Sequence, residues 1–337
     1  MVTLKDIASE AGVSVETVSR VLNGKNKEVW PSAARRASEI RKIARRLGFR
    51  PNAAARTMRR GSFRQIACAV TRYESAARSH DSDNEYLDAA TLELARRGYS
   101  VIFEPFLLDM MTDDVVEPPR LFSELVVDGV LGIAEVGVDL RRVDERFSHL
   151  GVPTVWINRE PTAGVPCVTS DEYTNGYRLA RRLIQLGRQR IGYIGHSEGP
   201  YSVHQRYRGV EDALSEAGLG TGDLATKKDD SLMVEAVARY LHSHADINAL
   251  ICYNHLCYEA AVHEAARMGR RVPDELVLAY FGSVGNVSRH YTPAILEIPR
   301  RQMAARAVDV LLDLIAGKSA PDPIDPIPGD LYTTSGG

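Results

Sequence analysis

The sequence predicts a small helical head followed by a larger α/β core. Three observations carry that expectation. Leu4 to Asn23 holds apolar residues at helical spacing on either side of one glycine, short apolar runs alternate with helical stretches from Phe63 onward, and a glycine recurs where each later helix should end. At 337 residues the chain exceeds one ordinary core and suggests two or three units.

The head opens on Thr3-Leu4-Lys5-Asp6, which fits a capping box, and Leu4, Ile7, Ala8 and Ala11 then share one helix face. Gly12 breaks this helix. Ser14 is a natural N-cap for a second, in which Val18, Val21 and Leu22 face inward while Val15, Glu16, Thr17 and Arg20 point away. Two short helices on a glycine turn bury little core alone, so a third should complete the unit. Ser32 to Leu47 supplies it, with Ala33, Ala37, Ile40, Ala44 and Leu47 as inner stripe, arginines and Lys42 elsewhere, and Gly48 at its end. Trp30, just before it, is expected to pack against the three helices.

This pattern is a helix-turn-helix, and its chemistry follows from position. Residues at the start of the second helix enter the DNA major groove, so Val15 and Glu16, with Arg20 further along, are the candidate sequence readers. Glu16 can accept from cytosine N4, Arg20 can chelate guanine O6 and N7, and Val15 can touch a thymine methyl. Thr17, Ser19 and Asn23, with Thr3 and Ser14, are candidate phosphate anchors. Charge agrees: residues 1–60 hold 14 Lys/Arg against 5 Asp/Glu, whereas the remainder holds 28 against 39, so a net charge of -2 hides a basic head on an acidic body.

After the head, Pro51 restricts its neighbour to an extended conformation, Asn52 can cap, and a short helical segment runs to Gly61. About eight or nine residues fall below the roughly 12–15 that make a helix marginal in water. Its folding should therefore depend on a partner.

In the core, apolar runs at 66–70, 101–103, 130–133, 154–157, 191–194, 249–252 and 276–281 are short enough for buried parallel strands. Gly98, Gly151, Gly187, Gly218, Gly269 and Gly317 stand at expected helix ends. About 275 residues of this pattern suggest two open sheets side by side.

Several classes are excluded. No apolar stretch approaches 18 residues and no charged n-region opens the chain, which points to a cytoplasmic protein without a membrane span. Cys68, Cys167, Cys252 and Cys257 lie on or beside apolar runs without a CxxC pair, as expected for buried free thiols. An enzyme would need a catalytic constellation, yet the sequence has no Walker loop, GxSxG or HExxH, no GxGxxG after the first strand, and no metal spacing among its nine histidines. Neither cofactor nor metal is expected.

Leu4-Lys5-Asp6-Ile7-Ala8, Ala11-Gly12-Val13-Ser14, Thr17 through Asn23, Pro51-Asn52 and Ala55-Arg56 resemble the lactose-repressor/galactose-repressor (LacI/GalR) family of bacterial transcription regulators. The resemblance continues through Asp171, Asn175-Gly176, Leu183 to Gly187, Arg206 to Val210, Gly269 to Asp274 and Tyr291-Thr292-Pro293. It implies a helix-turn-helix DNA-binding head (1–48), a hinge helix (49–61), and a two-lobed α/β periplasmic-binding-protein-like core (62–337). The lobes would be 62–165 with 284–316, and 166–283 with the C-terminal tail. It implies a homodimer on a double-stranded operator, with two hinge helices packed in the minor groove through Asn52, Ala55 and Arg56. Met58 stands where the family inserts a leucine wedge, a softer apolar substitute.

The resemblance also implies a carbohydrate-like effector between the lobes, where this sequence departs from the family. Arg206 matches an arginine that reaches a sugar hydroxyl or carboxylate, with a structural ion pair as the competing role. Asn254 matches the first member of an Asn-Asp pair, but His255 replaces the aspartate, and Gly282 stands where a late-strand aspartate is usual. The effector is therefore altered or lost. Trp156, Tyr86 and Phe281 can stack on a ligand or belong to the core.

Overall fold

The computed structural model describes residues 2–23, 30–49, 61–72, 81–107, 126–134, 140–196, 201–220, 233–286 and 294–333. The chain divides into two units, 1–63 and 64–337. Residues 50–60 of the expected hinge segment, with Asn52, Ala55, Arg56 and Met58, lie outside the described residues.

The head consists of α1 (Leu4–Ala11), α2 (Val15–Leu22) and α3 (Pro31–Arg46). Thr3 and Asp6 form the anticipated reciprocal capping box, and Gly12 ends α1 at φ 62°, a left-handed conformation that costs a side-chain-bearing residue energy. Ile7, Ala8, Val18, Val21, Ala37, Ile40, Ile43 and Ala44 form the buried cluster, with Leu4, Ala11, Leu22, Leu47 and Phe49 packed around it. Each large aliphatic side chain fully buried there contributes roughly 1.5–3 kcal/mol. Trp30 departs from expectation, being 73% exposed. It occupies the N-cap of α3 in extended backbone, ahead of Pro31 at the first turn, so its indole stays outside the cluster.

In the larger unit, β1 (Gln65–Arg72), β2 (Ser100–Leu107), β3 (Gly129–Ile133), β4 (Thr154–Ile157) and β5 (Cys167–Val168) form one sheet in the order β2-β1-β3-β4-β5, parallel throughout. The second sheet runs β10-β9-β8-β7-β6, built from β6 (Ile191–Ile194), β7 (Ala249–Cys252), β8 (Val277–Gly282), β9 (Ala294–Glu297) and β10 (Asp330–Thr333). Only β10 is antiparallel to its neighbour. Among the described residues the helices are α4 (Asp81–Arg96), α5 (Arg141–His149), α6 (Glu172–Gln185), α7 (Tyr201–Glu216), α8 (Met233–Ser243), α9 (His255–Arg267) and α10 (Arg300–Ile315). All six core glycines expected at helix ends have positive φ, from 64° to 79°.

The pairing revises the expected lobe boundaries. β9 pairs with β8, so the chain stays in the second lobe past Glu297 instead of leaving it near 284, and the return to the first lobe begins with α10, which packs on α4, β3 and β4. β5 pairs with β4, which carries the first lobe past 165 to Val168. The chain therefore passes between sheets at 169–171, 298–299 and 316–329. α6 and α7 cross closely enough that a Cβ on Gly209 would lie 2.0 Å from the carbonyl oxygen of Tyr173, and one on Gly176 would lie 2.1 Å from that of Arg206. The four cysteines are buried free thiols, and burial pushes Cys68 and Cys167 up to about 12. Among the described residues no helix is long and apolar enough to cross a membrane.

Candidate functional site

On the head, the start of α2 offers an open face. Val15 is 40% exposed, and Glu16 and Arg20 are exposed without a hydrogen-bond or ion-pair partner among the described residues. The small polar residues around them hold one another. Ser14 Oγ accepts the Thr17 N–H at 3.2 Å and lies 2.9 Å from Thr17 Oγ1, which caps α2. Asn23 Nδ2 donates to the Ser19 carbonyl at 2.7 Å and reaches Ser19 Oγ at 3.2 Å, closing the other end. Thr3 donates through N–H and hydroxyl to Asp6 Oδ2 at 2.8 and 2.9 Å. These hydroxyls and amides thus cap α1 and α2. Arg35, Arg36, Lys42 and Arg45 of α3 are exposed, and Arg46 pairs with Glu10.

In the core, a buried polar cluster forms where β6, β7 and β8 end, the position at which parallel α/β sheets bind ligands. Arg206 on α7 is buried there. Its Nε donates to Glu172 Oε2 at 2.5 Å, its Nη2 to Glu172 Oε1 at 3.0 Å, and its Nη1 to the Tyr253 carbonyl at 3.3 Å. The guanidinium carbon sits 4.8 Å from the Tyr253 ring centre and 4.9 Å from that of Phe281. Burial, the largest single influence, favours the neutral arginine, but the charge of Glu172, the neighbouring Tyr253 and the hydrogen bonds to Glu172 together outweigh it and hold the pKa above the ordinary value. The Tyr253 hydroxyl and Ser202 Oγ lie 2.8 Å apart, both buried.

The structure thus joins Arg206 and Phe281, two of the candidates. Asn254 is adjacent through Tyr253, but its Oδ1 accepts the Cys257 N–H at 2.9 Å as the N-cap of α9, leaving Nδ2 at 3.3 Å from His196 Nε2. His255, where the family pattern has an acid, lies 3.0 Å from Glu259 Oε1 along the same helix. Tyr86 shares the buried cluster of Tyr253 and Phe281, and its hydroxyl donates to Met303 Sδ at 3.8 Å. Burial raises its phenol well above the ordinary value.

Trp156 is a correction. Strand alternation sends Val155 and Ile157 into the cluster that contains Phe281, while Trp156 points to the opposite face, fully buried among Val143, Phe147 and Cys167. Its Nε1 donates to Asp144 Oδ1 at 2.9 Å, and Asp144 also binds Arg159 at 2.8 Å. Trp156 is therefore core and does not line the site. At Gly282, a Cβ would lie 1.8 Å from the Tyr280 hydroxyl, so Tyr280 fills the space a side chain would need.

Glu172, Tyr253 and Ser202 escaped the sequence reading. Glu172 and Arg206 are 34 residues apart, and no local spacing announces their pairing.

A helix-turn-helix head attached to a two-lobed α/β core defines a class of regulatory protein, and the chain matches known members along almost its whole length. Residues 3–52 match the family described as bacterial regulatory proteins, lacI family, and residues 103–297, more than half the chain, match periplasmic binding proteins and sugar binding domain of LacI family. The chain belongs to the LacI family of DNA-binding transcriptional regulators. It is 28% identical to the HTH-type transcriptional repressor PurR of Mannheimia succiniciproducens over 335 residues, covering 95% of this chain and 94% of the relative. It is 27% identical to the ribose operon repressor of Bacillus subtilis over 326 residues, covering 94% and 92%. The Lac repressor dimer, solved bound to operator and the anti-inducer ONPF, shares the fold with a TM-score of 0.74 at 18% identity, covering 98% of both chains.

Proposed function

We propose that this protein is a cytoplasmic transcriptional repressor that binds a pseudopalindromic operator as a homodimer, with operator affinity set by a small carbohydrate-like ligand between the core lobes. The open face of α2, with Val15, Glu16 and Arg20 exposed and the helix capped behind them, is the observation that carries the DNA-reading part. Those three residues read bases. Thr3, Ser14, Thr17, Ser19 and Asn23 anchor phosphates, and Asn52, Ala55, Arg56 and Met58 act in the minor groove when two copies meet on DNA. Ligand binding at Arg206, Phe281, Tyr86 and Asn254 alters the lobes, and a coupling of about 1–3 kcal/mol would change operator affinity about 5–150-fold.

Selection of bound duplexes from a randomised pool tests this reading. Enrichment of two inverted half-sites supports it, and an unenriched pool overturns it. On the selected site, Arg20→Ala should cost roughly 1–3 kcal/mol of affinity, and an unchanged ratio between selected and scrambled DNA would remove Arg20 as a base reader.

A second reading has its own support. Glu172 occupies the fork of Arg206 and Tyr280 covers Gly282, as they would in a regulator whose core no longer answers to an external effector. A thermal-shift screen of sugars and other metabolites separates the two, since only the first reading expects a stabilising compound.

A further inference from the structure

The Glu172–Arg206 pair is connected to the segments that pass between the lobes. The Gly329 N–H donates to Asn175 Oδ1 at 3.0 Å, Asn175 Nδ2 donates to Ser170 Oγ at 3.3 Å, and the Ser170 hydroxyl donates to Glu172 Oε1 at 2.6 Å. Backbone bonds clamp the same place. The Ile327 N–H donates to the Thr169 carbonyl at 2.9 Å and the Asp171 N–H to the Ile327 carbonyl at 3.0 Å, which ties the first passage to the last. Thr169, Ser170, Glu172, Asn175 and Arg206 are all buried. Two neighbouring passages and the fork of Arg206 are thus one continuous hydrogen-bonded network, with Glu172 at its centre.

A guanidinium offers a carboxylate a planar fork that one partner at a time can fill. Here Nε and Nη2 are taken by Glu172, Nη1 reaches Tyr253, and aromatic rings approach the cation. A second anion entering would meet a pair already neutral and a carboxylate of its own sign. Without Glu172, the buried arginine would need another counter-ion.

We propose that Glu172 is a built-in carboxylate ligand, which occupies the fork of Arg206 in place of an external anion and, through Ser170 and Asn175, holds the passages between the lobes as a bound anion would. This rests on the reading of the core as a ligand site and deepens it. Carboxylates and phosphate esters are excluded from Arg206, and a ligand of the intact protein is uncharged, meeting Ser202, Tyr253 and Phe281. Glu172→Ala removes the equivalent of acetate and leaves a place for it.

The test uses the full-length protein and acetate as probe, with chloride at equal ionic strength as control. Acetate should raise the melting temperature of Glu172→Ala selectively, leave the wild type unmoved, and have no selective effect on a Glu172→Ala/Arg206→Met double variant. Equal responses to acetate and chloride would overturn the proposal. On the selected operator, Glu172→Ala should shift affinity by about fivefold or more, with acetate restoring it. Should Glu172→Ala fail to fold in either salt, Ser170→Ala decides, because it keeps the ion pair and cuts only its link to the passages. An operator affinity of Ser170→Ala equal to that of the wild type overturns the proposal. A wild-type protein that selects no operator refutes the DNA-reading function, while the acetate melt still decides the role of Glu172.

Discussion

In the head, Glu16 and Arg20 stand in the open without a protein partner among the described residues, whereas in the core Arg206 and Glu172 are sealed against each other. The contrast follows from where each charge waits. An exposed guanidinium is solvated until its partner arrives, so a surface that reads a long duplex can be left open at little cost. A guanidinium inside the protein cannot stand bare, because the loss of water must be offset by a charge of opposite sign. The recognition surface can depend on its target for partners, while the interior site must supply its own.

The largest test of this contrast is Arg206→Leu, which strands Glu172 and should cost roughly 3–5 kcal/mol in denaturant unfolding. The double replacement Arg206→Leu/Glu172→Leu should recover most of that loss, and a single-variant cost below about 1 kcal/mol would break the comparison. Next is Gly209→Ala. Its methyl would press on the Tyr173 carbonyl at the α6–α7 crossing that carries the pair, and overpacking of this kind costs about 1–3 kcal/mol. In the head, Ser14→Ala removes the cap of α2 and should lower unfolding stability by about 1 kcal/mol, while Arg20→Ala should stay within about 0.5 kcal/mol of the wild type.

The smallest effect is a pH dependence. The Thr3 backbone and hydroxyl hold the Asp6 carboxyl below its ordinary 3.8. Its folded pKa is depressed, so the stabilisation is complete above the unfolded value and is lost as pH falls through the folded one. Acid melts of the protein and of Asp6→Asn should therefore converge below that point.

The head was legible because its signals are local. Thr3 with Asp6, Ser14 with Thr17, and Gly12 each act within a few residues, and sequence spacing is enough to read them. Most core strands were legible as apolar runs, but β5 is two residues long and β10 is mostly exposed, so neither carries such a run. β9 has one, yet nothing in Ala294–Glu297 says which sheet it joins. Trp156 shows a related limit. Alternation states that it faces away from Val155, but which face looks toward the site depends on helices elsewhere in the chain. At Trp30 an indole beside a small core suggests burial, while its N-cap position turns it outward. The inner partner of Arg206 was invisible for the same reason as the lobe boundaries, since both depend on contacts distant in sequence.

The late return of α10 also has a consequence for synthesis. Met303, Ala304, Ala307, Val308 and Leu311 are buried, and Leu311 lies against Gly129 of β3, so the first lobe is completed by a helix made after nearly all of the second. As the chain leaves the ribosome, β1 to β5 emerge early, and one side of their sheet stays only partly covered, by α4, until residue 315 is free. Neither lobe corresponds to a continuous stretch of gene, and a nascent chain halted before Arg300 would hold a first sheet still lacking its final cover.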